Sequence, residues 1–213
     1  GLNVTLPIKA DAFNYAQVKS NNASLSESVN TLSFFDSSVH GETTDGAGLL
    51  LDLVDKGIRL EASSLLVLRA GGSARSIVPS LLSKSPKHLF IANRTLEKAE
   101  SLVNKYKTNH PQIALLDEDL NGRIRPDIVI NATSAGTLND SILLPEELFK
   151  SKPKVYDLAY SRDETAFNKT AKEGGSKEVY DGLGMLIQQA ALSFEIWNEF
   201  KPNTNGIEQK LRA

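Results

Sequence analysis

The sequence contains no cysteine, so it can form neither a disulfide nor a thiolate metal site. Histidine is also scarce, since only His40, His88 and His110 occur and they are scattered along the chain. Isolated histidines are more often surface or turn residues than ligands, and we expect no metal site. These two shortages exclude the function classes that depend on cysteine clusters or on histidine-rich metal centres.

The numbers of basic and acidic residues are nearly equal, with 24 lysine and arginine residues and 26 aspartate and glutamate residues. Nucleic-acid-binding proteins typically carry an excess of basic residues, which this sequence does not have, so we expect no nucleic-acid partner. The sequence shows no long apolar run and no signal peptide, which favours a cytoplasmic protein without a membrane partner. With 213 residues, of which 40% are hydrophobic, the chain suits one large domain or two small ones.

A glycine-rich turn between two predicted elements is the most informative pattern in the chain. The apolar run Ser64–Leu68 predicts a buried strand, which leads through Ala70–Ala74 into a predicted helix over 73–83. Small residues let the backbone approach a phosphate, and the free N–H groups at a helix start face the anion. A second strand over His88–Ala92 and a helix over 96–107 follow, as expected for a unit that binds a dinucleotide.

Arg94 follows the second of these strands, where a dinucleotide fold meets the adenosine ribose. An arginine there suits the 2′-phosphate of NADP, whereas an acidic residue would favour NAD. Two plainer interpretations stay open. The turn can be only a tight strand–helix connection, and Arg94 can be a solvated residue before a helix that Thr95 caps. Arg69 departs from the glycine fingerprint, because it stands at the position of the first glycine.

Strands and helices are predicted to alternate along the chain, which argues for an α/β fold with a mainly parallel sheet and helices on both faces. The other predicted strands span 3–6, 29–35, 113–116, 127–131 and 155–158, and the other helices begin at Pro7 or span 48–56 and 164–173. Polar or turn structure is predicted for 19–28, 39–45, 132–136 and the tail from Lys201.

A last helix is predicted from Gly182 to about Trp197, because its apolar residues recur at helical spacing. Gln188 and Gln189 interrupt its apolar stripe. A buried glutamine needs hydrogen-bond partners, so one of these amides either binds a ligand or is satisfied within the protein.

Lys9 and Asp45 are the candidates for proton transfer, since each lies near the start of a predicted helix. A lysine and an aspartate that converge on a substrate hydroxyl can exchange its proton while a cofactor carries the hydride. Sequence spacing does not show that the two converge. Taken alone, Lys9 is typical of a solvated lysine and Asp45 of a helix N-cap.

Eight motifs together resemble those of the shikimate dehydrogenase family, in the family's order and over nearly the whole chain. They are Gly1–Lys9, Val29–Leu32, Thr44–Gly48, Ala70–Arg75, Asn93–Thr95, Asn131–Ser134, Tyr156–Tyr160 and Gly182–Ala190. The resemblance implies a Rossmann-type NADP-binding domain over 46–181 and an incomplete α/β substrate-binding domain formed by 1–45 and 182–213. The implied activity is the reversible, NADPH-dependent reduction of 3-dehydroshikimate to shikimate, in chorismate and aromatic amino acid biosynthesis.

The resemblance also implies roles for individual residues. Lys9 would be the catalytic proton donor and acceptor, with Asp45 beside it. Contacts to substrate are implied for Thr5, Asn30, Tyr160 and Gln189. Contacts to NADP are implied for Ala70, Gly71, Gly72, Ser73, Ala74, Asn93, Arg94, Thr95, Lys98, Thr133, Leu158, Gly182 and Met185.

Three features depart from the family pattern. The family's first strand, whose Ser-x-Ser motif grips the substrate carboxylate, is missing before Gly1, Arg69 replaces a glycine, and Thr43 replaces the usual asparagine. We expect little or no activity from the 213-residue chain without that strand, and tighter NADP binding after Arg69→Gly. Alternatives are a truncated, weakly active or non-catalytic NADP-binding fragment and a quinate/shikimate dehydrogenase. A small-molecule substrate and a monomer or homodimer are expected.

Overall fold

The structure is a computed structural model that describes residues 1–116, 123–133 and 146–213. Its strands are β1 (Leu2–Asn3), β2 (Val18–Lys19), β3 (Thr31–Phe35), β4 (Ser38–Glu42), β5 (Ser64–Leu68), β6 (His88–Ala92), β7 (Ile113–Leu115), β8 (Ile128–Asn131), β9 (Lys154–Asp157) and β10 (Val179–Asp181). Its helices are α1 (Lys9–Tyr15), α2 (Asn21–Ser26), α3 (Asp45–Asp55), α4 (Gly72–Leu82), α5 (Leu96–Lys107), α6 (Glu146–Lys150), α7 (Ala166–Glu173), α8 (Leu183–Asn198) and α9 (Ile207–Arg212).

The chain divides into two compact units. Unit 1 comprises Gly1–Ile58, Arg75–Ser83 and Gly184–Ala213, and unit 2 comprises Arg59–Ala74 and Lys84–Leu183.

Unit 1 is built around a short mixed sheet with the strand order β1-β3-β4-β2. β3 pairs antiparallel with β1 and β4, whereas β2 pairs parallel with β4. The backbone of Asn30, just before β3, is bonded on both sides, because its oxygen accepts from the Val4 nitrogen at 2.7 Å and its nitrogen donates to the Glu42 oxygen at 3.0 Å. The apolar core of this sheet consists of Val4, Ala12, Ala16, Ala23, Val29 and Leu32.

Two glycines bring helices α3 and α8 of unit 1 into close contact. A Cβ atom on Gly48 in α3 would lie 2.7 Å from the backbone nitrogen of Gln189 in α8, and one on Gly184 in α8 would overlap the carboxylate of Asp52 in α3. A side chain at either position would therefore force the helices apart. This packing places Gln189 beside the first turn of α3.

Unit 2 contains a parallel sheet with the strand order β10-β9-β8-β5-β6-β7. Leu65, Leu66 and Val67 of β5 are fully buried, as expected for a central strand whose two faces are both covered. In chain order β5, β6 and β7 extend the sheet in one direction, and β8, β9 and β10 extend it in the other. This is the order of the dinucleotide-binding fold, in which ligands bind beyond the carboxyl ends of the strands where the direction reverses.

The sequence-based assignment of elements is most accurate in unit 2 and least accurate in unit 1. β5, β6 and α5 have the predicted bounds, residue for residue. The expectation of a mainly parallel sheet is confirmed for unit 2 but is wrong for unit 1, whose β3 has two antiparallel neighbours. The turn predicted for 132–136 and the motif ending at Ser134 extend beyond residue 133 into a segment outside the described residues.

Several elements of unit 1 were predicted as polar or turn structure. β4 forms where 39–45 is predicted to be a turn, because its backbone pairs with both β3 and β2 although Gly41 disfavours a strand. β2 ends at Lys19, the first residue of the predicted polar stretch 19–28, α2 lies within that stretch, and α9 lies within the polar tail. α3 begins at Asp45, three residues before the predicted start at Gly48.

The compact units also divide the chain at residues other than the predicted domain boundary between 45 and 46. Unit 1 includes α3 and Arg75–Ser83. The reason is packing: a Cβ atom on Gly46 in α3 would lie 2.7 Å from Cβ of Ser80, and Gly48 lies equally close to α8. The assignment of a substrate domain and an NADP domain remains a prediction.

Among the described helices, none combines the length and the apolar character needed to cross a membrane.

Candidate active site

Lys9 and Asp45, which the sequence leaves apart, form an ion pair in unit 1. Lys9 is the first residue of α1 and Asp45 the first of α3. Lys9 Nζ donates to Asp45 Oδ2 at 2.6 Å, and the two side chains are only 13% and 6% exposed. The first residues of the two helices lie close together. A cation and a carboxylate that are 36 positions apart in the sequence therefore form an ion pair.

Asn30 holds the other oxygen of this carboxylate. Its Nδ2 donates to Asp45 Oδ1 at 2.9 Å and to Gln189 Oε1 at 3.0 Å, and its Oδ1 accepts from the backbone nitrogen of Thr44 at 2.9 Å. The backbone N–H can only donate, so this contact fixes which end of the Asn30 amide is the acceptor. The Asp45 carboxylate is therefore held between a charged donor and an amide donor.

Both glutamines of the last helix have partners within unit 1. Gln189 accepts from Asn30 and donates through Nε2 to the backbone oxygen of Leu186 at 2.9 Å. Gln188 Nε2 donates to Asp55 Oδ2 at 3.0 Å. The interpretation that these amides are satisfied by the protein is thus supported. A contact between Gln189 and the substrate stays a prediction. The side-chain oxygen of Gln189 accepts a hydrogen bond from Asn30.

Ser193 is a residue of this site that the sequence analysis missed. Its fully buried hydroxyl lies 2.7 Å from Thr31 Oγ1 and 3.3 Å from Thr44 Oγ1, and it accepts from Asn3 Nδ2 at 3.0 Å. A signal was present: Ser193 follows Gln189 by four residues, which places two polar side chains on the same face of an apolar helix.

The remaining substrate candidates differ in their surroundings. Thr5 is exposed and lies four residues before Lys9. Tyr160 belongs to unit 2 and is 52% exposed. Thr43, which is not one of these candidates but stands where the family usually has asparagine, is buried, and within the described part of the chain its Oγ1 has no hydrogen-bond partner.

The turn after β5 contains the residues predicted to contact the pyrophosphate of NADP. Arg69 has a φ of 81°, a left-handed conformation that glycine adopts without strain, which explains the glycine of the fingerprint at this position. Ala70 donates its N–H to Asn93 Oδ1 at 3.2 Å, and Asn93 Nδ2 donates to the Thr95 oxygen at 2.7 Å. Asn93 thereby ties the turn after β5 to the segment after β6.

The glycine turn itself leaves room for a ligand. A Cβ atom on Gly71 would meet no atom within 4 Å, and α4 begins at Gly72, one residue before the predicted start. Ser73 is half-buried and Ala74 is buried in the first turn of α4. Open space before the N-terminus of an 11-residue helix, at the sheet's direction reversal, fits a dinucleotide pyrophosphate.

Arg94, Thr95 and Lys98 are all exposed around the start of α5. Thr95 is the N-cap residue, as predicted, but its side chain makes no capping hydrogen bond. The Thr95 hydroxyl therefore does not cap the helix. This is compatible with the predicted contact between Thr95 and the phosphorylated adenosine of NADP.

Of the predicted nicotinamide residues, Thr133, Leu158 and Gly182 follow the carboxyl ends of β8, β9 and β10, and Met185 lies in α8. The Thr133 nitrogen donates to Asn131 Oδ1 at 3.2 Å, and the Leu158 nitrogen donates to the Asn131 oxygen at 2.9 Å. A Cβ atom on Gly182 would lie 2.7 Å from the carbonyl carbon of Leu158, so only glycine permits this approach. Met185 is half-buried in α8 and belongs to unit 1.

No group of three or more metal-ligating side chains occurs within residues 1–116, 123–133 and 146–213.

The chain matches known proteins over nearly its full length. A family model described as "Shikimate / quinate 5-dehydrogenase" matches residues 52–167, and one described as "Shikimate 5'-dehydrogenase C-terminal domain" matches residues 182–212. Among curated relatives, the "Shikimate dehydrogenase (NADP(+))" of Legionella pneumophila (strain Corby) is 44% identical over 215 residues, which cover 100% of this chain and 78% of the relative.

Solved structures agree with the sequence comparison. The crystal structure of an Ael1 enzyme from Pseudomonas putida has a TM-score of 0.89 at 35% identity, covering 98% of this chain and 77% of that one. Shikimate 5-dehydrogenase from Thermus thermophilus, solved in complex with NADP(H) and shikimate, has a TM-score of 0.84 at 30% identity, covering 99% and 77%. The chain belongs to the shikimate dehydrogenase family.

Proposed function

We propose that this protein catalyses the reversible, NADPH-dependent reduction of 3-dehydroshikimate to shikimate, a step towards chorismate and the aromatic amino acids. The observation that carries the proposal is the Lys9–Asp45 pair, with Nζ and Oδ2 2.6 Å apart and Asn30 bonded to the second carboxylate oxygen. This is a cation and a carboxylate held in place by an amide, in a chain whose curated relatives are shikimate dehydrogenases.

NADP is the cofactor that the residues of unit 2 fit. The open space at Gly71 and the N-terminus of α4 suit the pyrophosphate, and the exposed Arg94 suits the 2′-phosphate. Asn93, Thr95 and Lys98 lie beside Arg94 on the adenosine side. When bound, NADPH supplies the hydride that reduces the ketone of the substrate.

The residues of the protein itself stabilise the charge that develops on the substrate and transfer a proton to it. Negative charge develops on the ketone oxygen as the ketone is reduced, and the Lys9 ammonium stabilises this charge and donates its proton to that oxygen. Asp45 keeps the ammonium oriented through Oδ2, and Asn30 prevents the carboxylate from rotating. In the reverse direction Lys9 accepts the proton of the shikimate hydroxyl.

Substrate recognition is proposed for Thr5, Asn30, Gln189 and Tyr160. Shikimate carries several hydroxyl groups, and a site built to hydrogen-bond a hydroxyl discriminates strongly against analogues that lack it. Asn30 and Gln189 are suited to this task because their amides are already oriented by protein contacts. Orientation before binding reduces the entropy cost of forming those hydrogen bonds.

The experiment is a spectrophotometric assay of NADPH formation from NADP⁺ and shikimate, carried out on the chain with the family's first strand supplied before Gly1. This completed protein is the wild type against which all variants below are compared. We expect shikimate-dependent turnover that is faster with NADP⁺ than with NAD⁺ at equal concentration. The matched control is Asp45→Asn, which keeps the shape of the side chain and removes its charge. Wild-type protein that binds NADP⁺ but gives no shikimate-dependent NADPH would contradict the proposal.

The predicted cytoplasmic location and the predicted monomer or homodimer remain proposals, which cell fractionation and light scattering of the purified protein would test.

A further inference from the structure

Three polar side chains lie side by side at the carboxyl edge of the parallel sheet, and the proposed mechanism does not use them. In the strand register Asn131 of β8 is paired with Asp157 of β9, and Asp157 with Asp181 of β10. Asn131, Asp157 and Asp181 are 3%, 2% and 8% exposed. Buried carboxylates are costly unless hydrogen bonds compensate, so the contacts of this row require an explanation.

Hydrogen bonds connect Asn131 and Asp157 to each other and to the backbone N–H groups of Thr133 and Ala159. The Thr133 nitrogen donates to Asn131 Oδ1 at 3.2 Å, and Asn131 Nδ2 donates to Asp157 Oδ1 at 2.9 Å. The same Asp157 oxygen accepts from the Ala159 nitrogen at 3.1 Å. Because Asp157 can only accept, it decides which end of the Asn131 amide faces Thr133.

The segment after β9 is also held from its other side. The Gly182 nitrogen donates to the Ala159 oxygen at 2.9 Å, and Gly182 lies against the Leu158 carbonyl group, where a Cβ atom would not fit. Leu158 and Ala159 are therefore fixed between Asp157 and Gly182. Asp181 is occupied separately, since its Oδ1 accepts from the Leu183 nitrogen at 3.2 Å.

We infer that Asp157 is a positioning residue, whose carboxylate sets the backbone of Thr133 and of Leu158–Tyr160 so that the nicotinamide of NADP and the substrate are held in reacting geometry. This inference rests on the proposed function, in which Thr133 and Leu158 contact the nicotinamide side and Tyr160 the substrate. Asp157 acts through Asn131 and Ala159 and does not itself touch the reacting atoms.

Three variants separate positioning from charge and from general stability. Asp157→Ala removes the acceptor for both Asn131 and Ala159. Asp157→Asn retains it, because the amide oxygen can accept both bonds while its NH₂ group donates to Thr165. Thr165→Val is the control: it removes the N-cap of α7 and the hydroxyl that bonds Asp157, but not the bonds to Asn131 and Ala159.

In steady-state kinetics we expect Asp157→Ala to lower kcat by roughly 10- to 100-fold, the size of effect that a displacement of about 1 Å produces, with KM for shikimate changed less than about twofold. Asp157→Asn should stay within about threefold of wild-type kcat. Thr165→Val should lower the melting temperature and keep wild-type kcat. Wild-type kcat in Asp157→Ala, no rescue by Asp157→Asn, or an equal kcat loss in Thr165→Val would each overturn the inference.

A second measurement works without turnover. In saturation-transfer NMR on bound NADP⁺, Asp157→Ala should weaken transfer to the nicotinamide protons and leave transfer to the adenine protons unchanged. Unchanged ratios would overturn the inference. If wild-type protein shows this nicotinamide transfer but no shikimate-dependent turnover, the proposed function fails, while the comparison of variants still tests Asp157.

Discussion

Lys9 Nζ lies 2.6 Å from Asp45 Oδ2, although the two residues are 36 positions apart and begin different helices. The pairing depends on a third residue, because Asn30 donates to the second oxygen of Asp45 at 2.9 Å. A cation beside a carboxylate that cannot rotate remains in one place, and a proton donor must be held in reach of the atom that it serves. The buried environment of the pair follows from its position where α1 and α3 begin.

In the chain completed with the family's first strand, Lys9→Ala should lower kcat by roughly 10²–10⁴-fold, the usual contribution of acid–base catalysis. KM for shikimate should change less, because Thr5, Asn30 and Gln189 remain. Lys19→Ala is the matched control, since that lysine of unit 1 donates to the backbone oxygen of Ala16 and lies over the ring of Phe13. Near-normal kcat with a raised KM would show that Lys9 only binds substrate.

Arg94→Ala should weaken NADP⁺ binding roughly 10- to 100-fold, because a hydrogen bond to a charged group contributes about 1.5–3 kcal/mol. Affinity for NAD⁺, which has no 2′-phosphate, should change little. Fluorescence titration with NADPH and NADH gives both affinities. Lys105→Ala, near the opposite end of α5, should leave both affinities unchanged. Equal weakening of both cofactors by Arg94→Ala would contradict the assignment of Arg94 to the phosphate.

Gly71→Ala and Gly182→Ala should distinguish a glycine that leaves room for the cofactor from a glycine that allows close packing within the protein. A Cβ atom on Gly71 meets nothing within 4 Å, so the melting temperature should not change, but NADP⁺ binding should weaken if the pyrophosphate fills that space. A Cβ atom on Gly182 would lie 2.7 Å from the Leu158 carbonyl carbon, so the fold should lose about 1–3 kcal/mol.

Thermal unfolding with and without NADP⁺ measures both effects of these substitutions. The expected pattern is a normal melting temperature with a reduced NADP⁺-induced increase for Gly71→Ala, and a lower melting temperature without ligand for Gly182→Ala. Full NADP⁺ stabilisation of Gly71→Ala would place the pyrophosphate elsewhere.

Asp157→Asn should stabilise the protein at neutral pH. Burial raises the pKa of Asp157, and the neighbouring Asp181 raises it further, while hydrogen bonds from Thr165, Ala159 and Asn131 oppose the shift. A raised folded-state pKa means that the folded protein binds this proton more tightly than the unfolded chain does. Its contribution to stability is therefore present below the unfolded pKa of about 3.9 and is lost as the pH rises through the folded pKa.

The stabilisation by Asp157→Asn should consequently be absent near pH 4 and grow as the pH rises towards neutrality. Urea denaturation over this range measures it. Asp163→Asn, at another carboxylate of unit 2, is the control for the loss of one negative charge from this unit. A stability difference independent of pH would show that burial does not raise the pKa of Asp157.

Much of unit 2 could be predicted from the sequence because its signals are local. A buried parallel strand is a continuous apolar run, and β5 and β6 are bounded by turn residues on each side, so their ends agree with the prediction. The helix α5 begins and ends as predicted because its apolar residues recur at helical spacing after Thr95. Unit 1 is less regular: β4 includes Gly41, and only its pairing with β2 and β3 makes it a strand.

By itself the sequence determined the alternation of strands and helices in unit 2, the glycine turn after β5, and the residue types from which an NADP site and a proton-transfer pair can be built. The tertiary structure decided which of those residues meet: Lys9 with Asp45, Asn30 with Gln189, and Asn131 with Asp157. The physical reason is range. Burial patterns and turn chemistry act over a few neighbouring residues, whereas these contacts join side chains 36, 159 and 26 positions apart. They exist only once strands have paired and helices have packed, since pairing and packing bring distant parts of the chain within hydrogen-bonding distance.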